Sequence, residues 1–453
     1  MKKILSVILA ALLAFSLAAC GTTPAKEQSP AGNTSVAGVT LGEKPVEIIF
    51  WHSMSDTNGE LLEQLVQQFN DTVGREKQIT VKTVYQGKYS DATTKLSAVL
   101  TADKPADLPD VMQMDATAKI LYAESGYAYT LDRLLGDHPD YRADQLYQSL
   151  VNNWTYKNAR LGMPFAASTT VTYYNKTLFD SIGAAAPETF ADLAALGKAP
   201  FGEGIEVYTA LPNSASLNNW IQQLGGKLLD NDNGTLGNAS ALTCAGTNDT
   251  LKTFLTEWKA LYKSGALVNA DTTTTDSFVA GKTAVITTST SNLRAVMDKV
   301  DGRFEVGVAK FLRVNADAAV GATSSGSALM AFDKGDAQKM LASWEFMQYL
   351  TSAEVQANWA VGTGYLPVNT GAEEVPAYKE FLATMPQFGV GVGQLLEMPL
   401  FTSVTIGPAA DFYYAVQNNI SEMLTNDLSV EDTIANMTEE LEGMLYEYNR
   451  ANP

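Results

Sequence analysis

Short β-branched and aromatic runs alternate with stretches whose apolar residues recur at helical spacing, and this alternation limits the chain to one broad architecture. Val46 to Trp51 (Val-Glu-Ile-Ile-Phe-Trp) reads as a strand, and after a polar turn Leu61, Leu62, Leu65, Val66 and Phe69 share one face of a helix. Ile79 to Tyr85 alternates as a second strand, and Asp91 to Leu100 supplies a helix with Leu96, Val99 and Leu100 on one side. Asp110 to Met114, followed by a helix through Ile120 and Leu121, repeats the unit. Strand-helix-strand repetition predicts an α/β fold with a mainly parallel sheet flanked by helices, in which ligands sit beyond the carboxyl ends of the strands. With 453 residues the chain is long enough for two domains or one bilobal body. Turn-rich stretches at 197–204, 225–226 and 230–237 mark the middle third, and a second lobe is expected to begin near Ala166 to Thr170. Near the end, Ser429 with Asp432 three residues on reads as a helix start. Val430, Ile434, Met437, Leu441, Met444, Leu445 and Tyr448 then form a stripe that should pack against a domain.

The first residues do not belong to that fold. Lys2 and Lys3 precede a mostly apolar run from Ile4 to Ala19, the pattern of a secretory signal and shorter than the ~20 residues that span a bilayer core. Leu17-Ala18-Ala19-Cys20 resembles the lipobox of bacterial lipoproteins, which implies removal of residues 1–19 and a lipid on Cys20 as the new N-terminus. Residues 20–44, rich in Thr, Ser, Ala, Gly and Pro, are expected to form a flexible tether. Cys244 is then the one remaining thiol, so no internal disulfide is expected and a buried, inert side chain is. The 31 Lys and Arg against 50 Asp and Glu leave a charge of −19, which repels phosphate backbones and argues against a nucleic acid partner.

Catalytic and metal patterns are weak. His52 and His138 are the only histidines, too few for a three-histidine site. Gly281-Lys282-Thr283 looks like the tail of a phosphate loop, but Asp276 stands where the leading glycine belongs. Asp230-Asn231-Asp232-Asn233-Gly234 has its glycine one place early for a calcium loop and no closing Glu, and reads as a hairpin turn at Asn233-Gly234. No metal or other cofactor is expected. Carboxylates are numerous enough for a glycosidase pair, though no local spacing favours one.

What recurs is a set of segments pairing aromatics or glycine with small polar residues: Phe50-Trp51-His52-Ser53-Met54, Tyr85-Gln86-Gly87-Lys88-Tyr89, Ala167-Ser168-Thr169, Asn219-Trp220 and Gly364-Tyr365-Leu366-Pro367. Rings with hydroxyls and amides suit solutes that have apolar C–H faces and a hydroxyl rim. Taken in order, these segments resemble the carbohydrate-binding family of extracellular solute-binding proteins of ABC importers, over about residues 45 to 450. Pro164-Phe165 through Tyr173-Tyr174-Asn175-Lys176 resembles the first lobe-to-lobe crossing, Gly281 to Ile286 a strand leading into the cleft, and Asp411-Phe412-Tyr413-Tyr414 a segment flanking sugar.

The resemblance implies a two-lobed, periplasmic-binding-protein-like fold of type II with the ligand cleft between lobes. Lobe 1 is expected at residues 45–166 and 316–370, and lobe 2 at 167–315 and 371–453. It implies ligand contacts at Trp51, Ser53, Tyr89, Asp115, Ser168, Trp220, Ser289, Gly326, Tyr365 and Tyr413. Several have a plainer reading: Asp115 as a helix cap, Trp220 as an interlobe packing residue, and Ser168, Ser289 and Gly326 as hinge turns. Where phosphoglycerol binders carry an Arg, this chain reads Leu400-Phe401-Thr402-Ser403-Val404-Thr405, which favours a neutral sugar or polyol over a glycerol-phosphate compound. The expected protein is a monomeric, non-enzymatic receptor that serves an ABC permease at the outer face of the cell membrane. A surface glycoside hydrolase and a non-transport sugar sensor are the alternatives.

Overall fold

The computed structural model describes residues 33–246, 249–270 and 275–452; the signal segment and Cys20 lie outside them. The strands are β1 (Val46–His52), β2 (Ile79–Tyr85), β3 (Val111–Asp115), β4 (Ala128–Tyr129), β5 (Thr155–Tyr156), β6 (Ala159–Arg160), β7 (Met163–Asn175), β8 (Glu206–Thr209), β9 (Leu267–Val268), β10 (Thr283–Ser289), β11 (Val306–Ala309) and β12 (Ser324–Phe332). They follow the order β2-β1-β3-β12-β7-β10-β8-β9, with β4 beside β12 and β11 beside β7, while β5 and β6 form a separate hairpin.

The sheet is mixed rather than mainly parallel. β1 runs parallel to β2 and β3, and β8 parallel to β10 and β9, as the repeated strand-helix pattern predicts. The strands between these groups are antiparallel: β12 to β3 and β7, and β7 to β10 and β11. Topology supplies the reason, because β7 carries the chain from the first lobe to the second and β12 carries it back. Met163 to Thr169 of the thirteen-residue β7 pairs with β12, and Thr170 to Asn175 pairs with β10 and β11. One strand thus belongs to both halves.

Each half buries its own apolar core. Phe50, Leu62, Phe69, Trp344 and Trp359 pack in the first lobe, and Trp220, Leu251, Trp258, Phe412 and Leu445 in the second. Full burial of one such side chain contributes roughly 1.5–3 kcal/mol. Leu62, Leu65, Val66 and Phe69 form the buried face of the helix Asp56–Phe69. In the helix Val430–Ala451 the Ser429 hydroxyl accepts the Asp432 N–H at 3.0 Å, and Met437, Leu441 and Leu445 are buried.

Packing bears on the expected boundaries in three places. From Thr34 the chain is docked rather than loose, since the Thr34 N–H reaches Asp333 at 2.9 Å and Val36 is buried in the first core, so a tether cannot extend to residue 44. Ala318 and Ala322 pack in the second core, which moves the return crossing from 316 to the start of β12. Between residues 371 and 400 the chain packs on both halves, with Tyr378, Val392 and Leu395 in clusters with first-lobe residues and Phe388 among Val171, Tyr173 and Ile286 of the second.

Candidate functional site

The two halves face each other across a cavity of about 410 Å³, within the range usual for small-molecule sites. Tyr89, Asp115, Asn153 and Tyr365 line it from the first lobe, Ser168, Ser325 and Gly326 from the crossing strands, and Asn218, Ser291 and Ser403 from the second. A smaller cavity of about 280 Å³ shares Ala215, Thr323 and Ser325 with it and is lined by Ser289 and Tyr413.

Asp115 ends β3, where parallel strands present their carboxyl ends. Its carboxylate accepts the Thr117 hydroxyl at 2.6 Å. Burial pushes its pKa up, against hydrogen bonds from that hydroxyl and from the Thr117 and Ala118 N–H groups. Tyr89 begins the helix Tyr89–Thr101 and accepts a hydrogen bond at 3.2 Å from the Gln113 amide. That amide also donates to Ser327 at 2.8 Å, while its carbonyl oxygen accepts the Ser53 N–H at 3.0 Å. Gln113, fully buried in β3, therefore fixes Tyr89 against two other segments. The Tyr89 phenol is held protonated above its ordinary range by burial first, then by Tyr365 and Asp115 beside it.

The crossing strands meet under the cavity, with Ser168 and Ser325 hydroxyls 2.9 Å apart. Gly326 has φ +107°, and a Cβ there would lie 1.9 Å from the Ala166 carbonyl oxygen, so only glycine fits. Ser289 ends β10 and accepts the Ser291 N–H at 3.3 Å. Tyr365 stacks on Trp359 at 5.9 Å, and burial raises the pKa of its phenol while the Ser291 side chain of the other lobe beside it acts the other way. Next to this contact, Arg294 donates at 2.5 Å to the Val361 carbonyl, capping the end of the helix Ala353–Thr363 from across the cleft.

The far rim is tied as well. Ser403 donates to the Asn153 side-chain oxygen at 2.5 Å, and the Lys157 N–H donates to the Thr235 carbonyl at 2.7 Å. Behind Asn153, Lys119 donates to its backbone carbonyl at 3.0 Å; burial lowers this ammonium's pKa to about 8.

Of the expected contacts, Trp51 and Ser53 line neither cavity and Trp220 only touches the smaller one. Trp51 is 5% exposed in the first lobe's second core, with the Lys95 ammonium 4.6 Å above its ring, and lines neither cavity. Ser53 stands behind the site and acts on it only through Gln113. Trp220 reaches the smaller cavity with 1% of its surface, being stacked on Phe254 and on Phe311 at 5.2 Å each and donating to the Leu312 carbonyl. Its faces are spent on core packing, which leaves none for stacking a solute.

The stretch 230–234 is not a hairpin. Asn231, Asp232, Asn233 and Gly234 have successive positive φ values, and Asn233 donates to the Thr402 carbonyl at 3.1 Å. This places Lys227 beside Thr402, at 2.9 Å from its hydroxyl, a cation that the local sequence around Thr402 does not show. Lys227 is paired with Asp232 at 2.8 Å and lines neither cavity. Asn153, Asn218, Ser291 and Ser403 also line the site, and the sequence motifs do not single them out. Asn153-Trp154 repeats the amide-aromatic pairing of Asn219-Trp220 and was the one available signal.

Two α/β lobes joined by crossing strands, with a polar cavity between them, define a solute-binding protein of the type II periplasmic-binding class. The profile of the bacterial extracellular solute-binding proteins matches residues 64–386, and the chain belongs to that family, the binding components of ABC importers, which are not enzymes. The sn-glycerol-3-phosphate-binding periplasmic protein UgpB of Yersinia pseudotuberculosis is 23% identical over 420 residues, covering 90% of this chain and 94% of the relative. UgpB of Mycobacterium tuberculosis, solved in complex with glycerophosphocholine, superposes with a TM-score of 0.71 at 22% identity, over 90% of this chain and 99% of that one. The sugar-binding protein MalE of Xanthomonas citri gives 0.72 at 20%, over 90% and 99%. At these identities the solved structures speak for the fold.

Proposed function

We infer that the protein captures a hydroxylated solute, a sugar or polyol, between its lobes and delivers it intact to an ABC permease, held at the outer face of the membrane as a monomer by lipid on Cys20. The observation that carries this is the cavity lining: hydroxyls of Ser168, Ser291, Ser325 and Ser403, amides of Asn153 and Asn218, and the rings of Tyr89 and Tyr365, contributed by both halves. Asp115, Ser289, Gly326 and Tyr413 complete the proposed contacts.

Among the described residues no Lys or Arg lines either cavity, which favours a solute without a phosphate over the phosphate compounds named for the relatives. Among the described residues Asp115 is the one carboxylate lining them, where glycoside hydrolysis uses a pair. Closure needs only that the solute favour the closed lobes by a few kcal/mol.

Thermal-shift screening of the purified protein against sugars, polyols and glycerophospho-compounds tests the reading. A saturating solute at about 100 times its Kd adds roughly 2.7 kcal/mol, so a rise of several degrees is expected, with the solute recovered unchanged. Turnover of the solute, or binding in the absence of any effect on uptake, would point to the hydrolase or the sensor.

A further inference from the structure

We propose that the solute carries a positive charge, as a protonated amine or a quaternary ammonium on a hydroxylated frame, seated on Asp115 against the rings of Tyr89 and Tyr365. This rests on the receptor reading and narrows its substrate class.

Asp115 is the one charged side chain lining the two cavities among the described residues. Its carboxylate is oriented on one side by the Thr117 hydroxyl at 2.6 Å, with no salt-bridge partner. The cations close to lining residues are committed, Arg294 to the Val361 carbonyl and the rings of Phe381 and Phe388. Lys227 is taken by Asp232 at 2.8 Å and by the Gln222 and Thr402 side chains, and Lys119 by the Asn153 carbonyl.

Closing the lobes therefore removes water from a carboxylate that has no counter-ion. Burial already disfavours its charge, as the raised pKa shows. A neutral diol returns only hydrogen bonds, whereas a ligand cation also restores the missing charge. The rings beside it act in the same direction. Tyr89 is fixed by Gln113 next to Asp115 and Tyr365, and Tyr365 is backed by Trp359. Aromatic faces next to a carboxylate attract ammonium groups, quaternary ones included. The excess of acidic residues, −19 over the chain, adds a long-range field that draws cations and repels anions.

Calorimetric titration of the purified protein with matched probes decides the matter: glucosamine against glucose and N-acetylglucosamine, their β-1,4 dimers, and choline against glycerol. The charged member of a matched set should bind at least tenfold tighter, with a preference that shrinks on adding salt. Asp115→Asn should collapse the ratio between charged and neutral probes, and Asp115→Glu should keep it. The unliganded melting temperature of each variant reports folding, and the salt dependence of the wild type stands by itself if Asp115→Asn fails to fold. Neutral probes that bind as well as charged ones, or a preference that survives in Asp115→Asn, overturn this inference and leave the receptor reading intact. Saturable binding by no probe in the set overturns both.

Discussion

At the scale of single residues, position decides what a side chain does more than its type. Trp220 and Tyr365 are both aromatic and both lie near the cleft, yet Trp220 spends its faces on Phe254 and Phe311 while Tyr365, backed by Trp359, lines the cavity. Gly326 matters through what it lacks. At φ +107° a side chain is strained whatever the space, and here the Ala166 carbonyl also occupies the place of Cβ. Gly326→Ala should cost about 2–4 kcal/mol, combining left-handed strain with overpacking against backbone. Urea denaturation measures it, and a loss below about 0.5 kcal/mol would mean that the crossing strands do not pack as described.

At the scale of elements, the strands and helices near the N-terminus and the last helix were legible because their signals are local. Val46–His52 and Ile79–Tyr85 form where β-branched residues alternate, and Val430–Ala451 where an apolar stripe follows a capping serine. Ser429→Ala should destabilise the protein by about 1 kcal/mol, the ordinary worth of an N-cap. The melting curve reads this, and an unchanged midpoint would show that packing of Met437, Leu441 and Leu445 holds the helix start without its cap. Residues 230–234 misled for the opposite reason. Asn-Gly favours a hairpin when two strands flank it, but here the segment wraps the Thr402 to Thr405 backbone, a partner about 170 residues away.

At the scale of the whole molecule, the lobes are joined by shared strands and by ties on both cavity rims. Ser403 to Asn153 is the tie that a single conservative change can remove, and each of its members also lines the cavity. Ser403→Ala should shift the unliganded protein toward open lobes and weaken solute binding threefold to tenfold, the worth of one net hydrogen bond. X-ray scattering should show a larger radius of gyration for the unliganded variant than for the wild type, with the liganded forms alike. Equal radii in both states would deny the rim a part in closure.

The amino-acid order alone determined the α/β class and the terminal helix, since each follows from periodicity within a short stretch, while the crossing at Pro164 to Lys176 was legible only through the resemblance to a family. Tertiary structure alone decided that β7 and β12 run antiparallel between the lobes, and that Asn153 and Ser403 meet across the cleft. It alone showed that Trp220 is walled in and that Lys227 reaches Thr402 but is neutralised by Asp232. These depend on contacts between residues far apart in the chain, which a repeating local pattern does not encode.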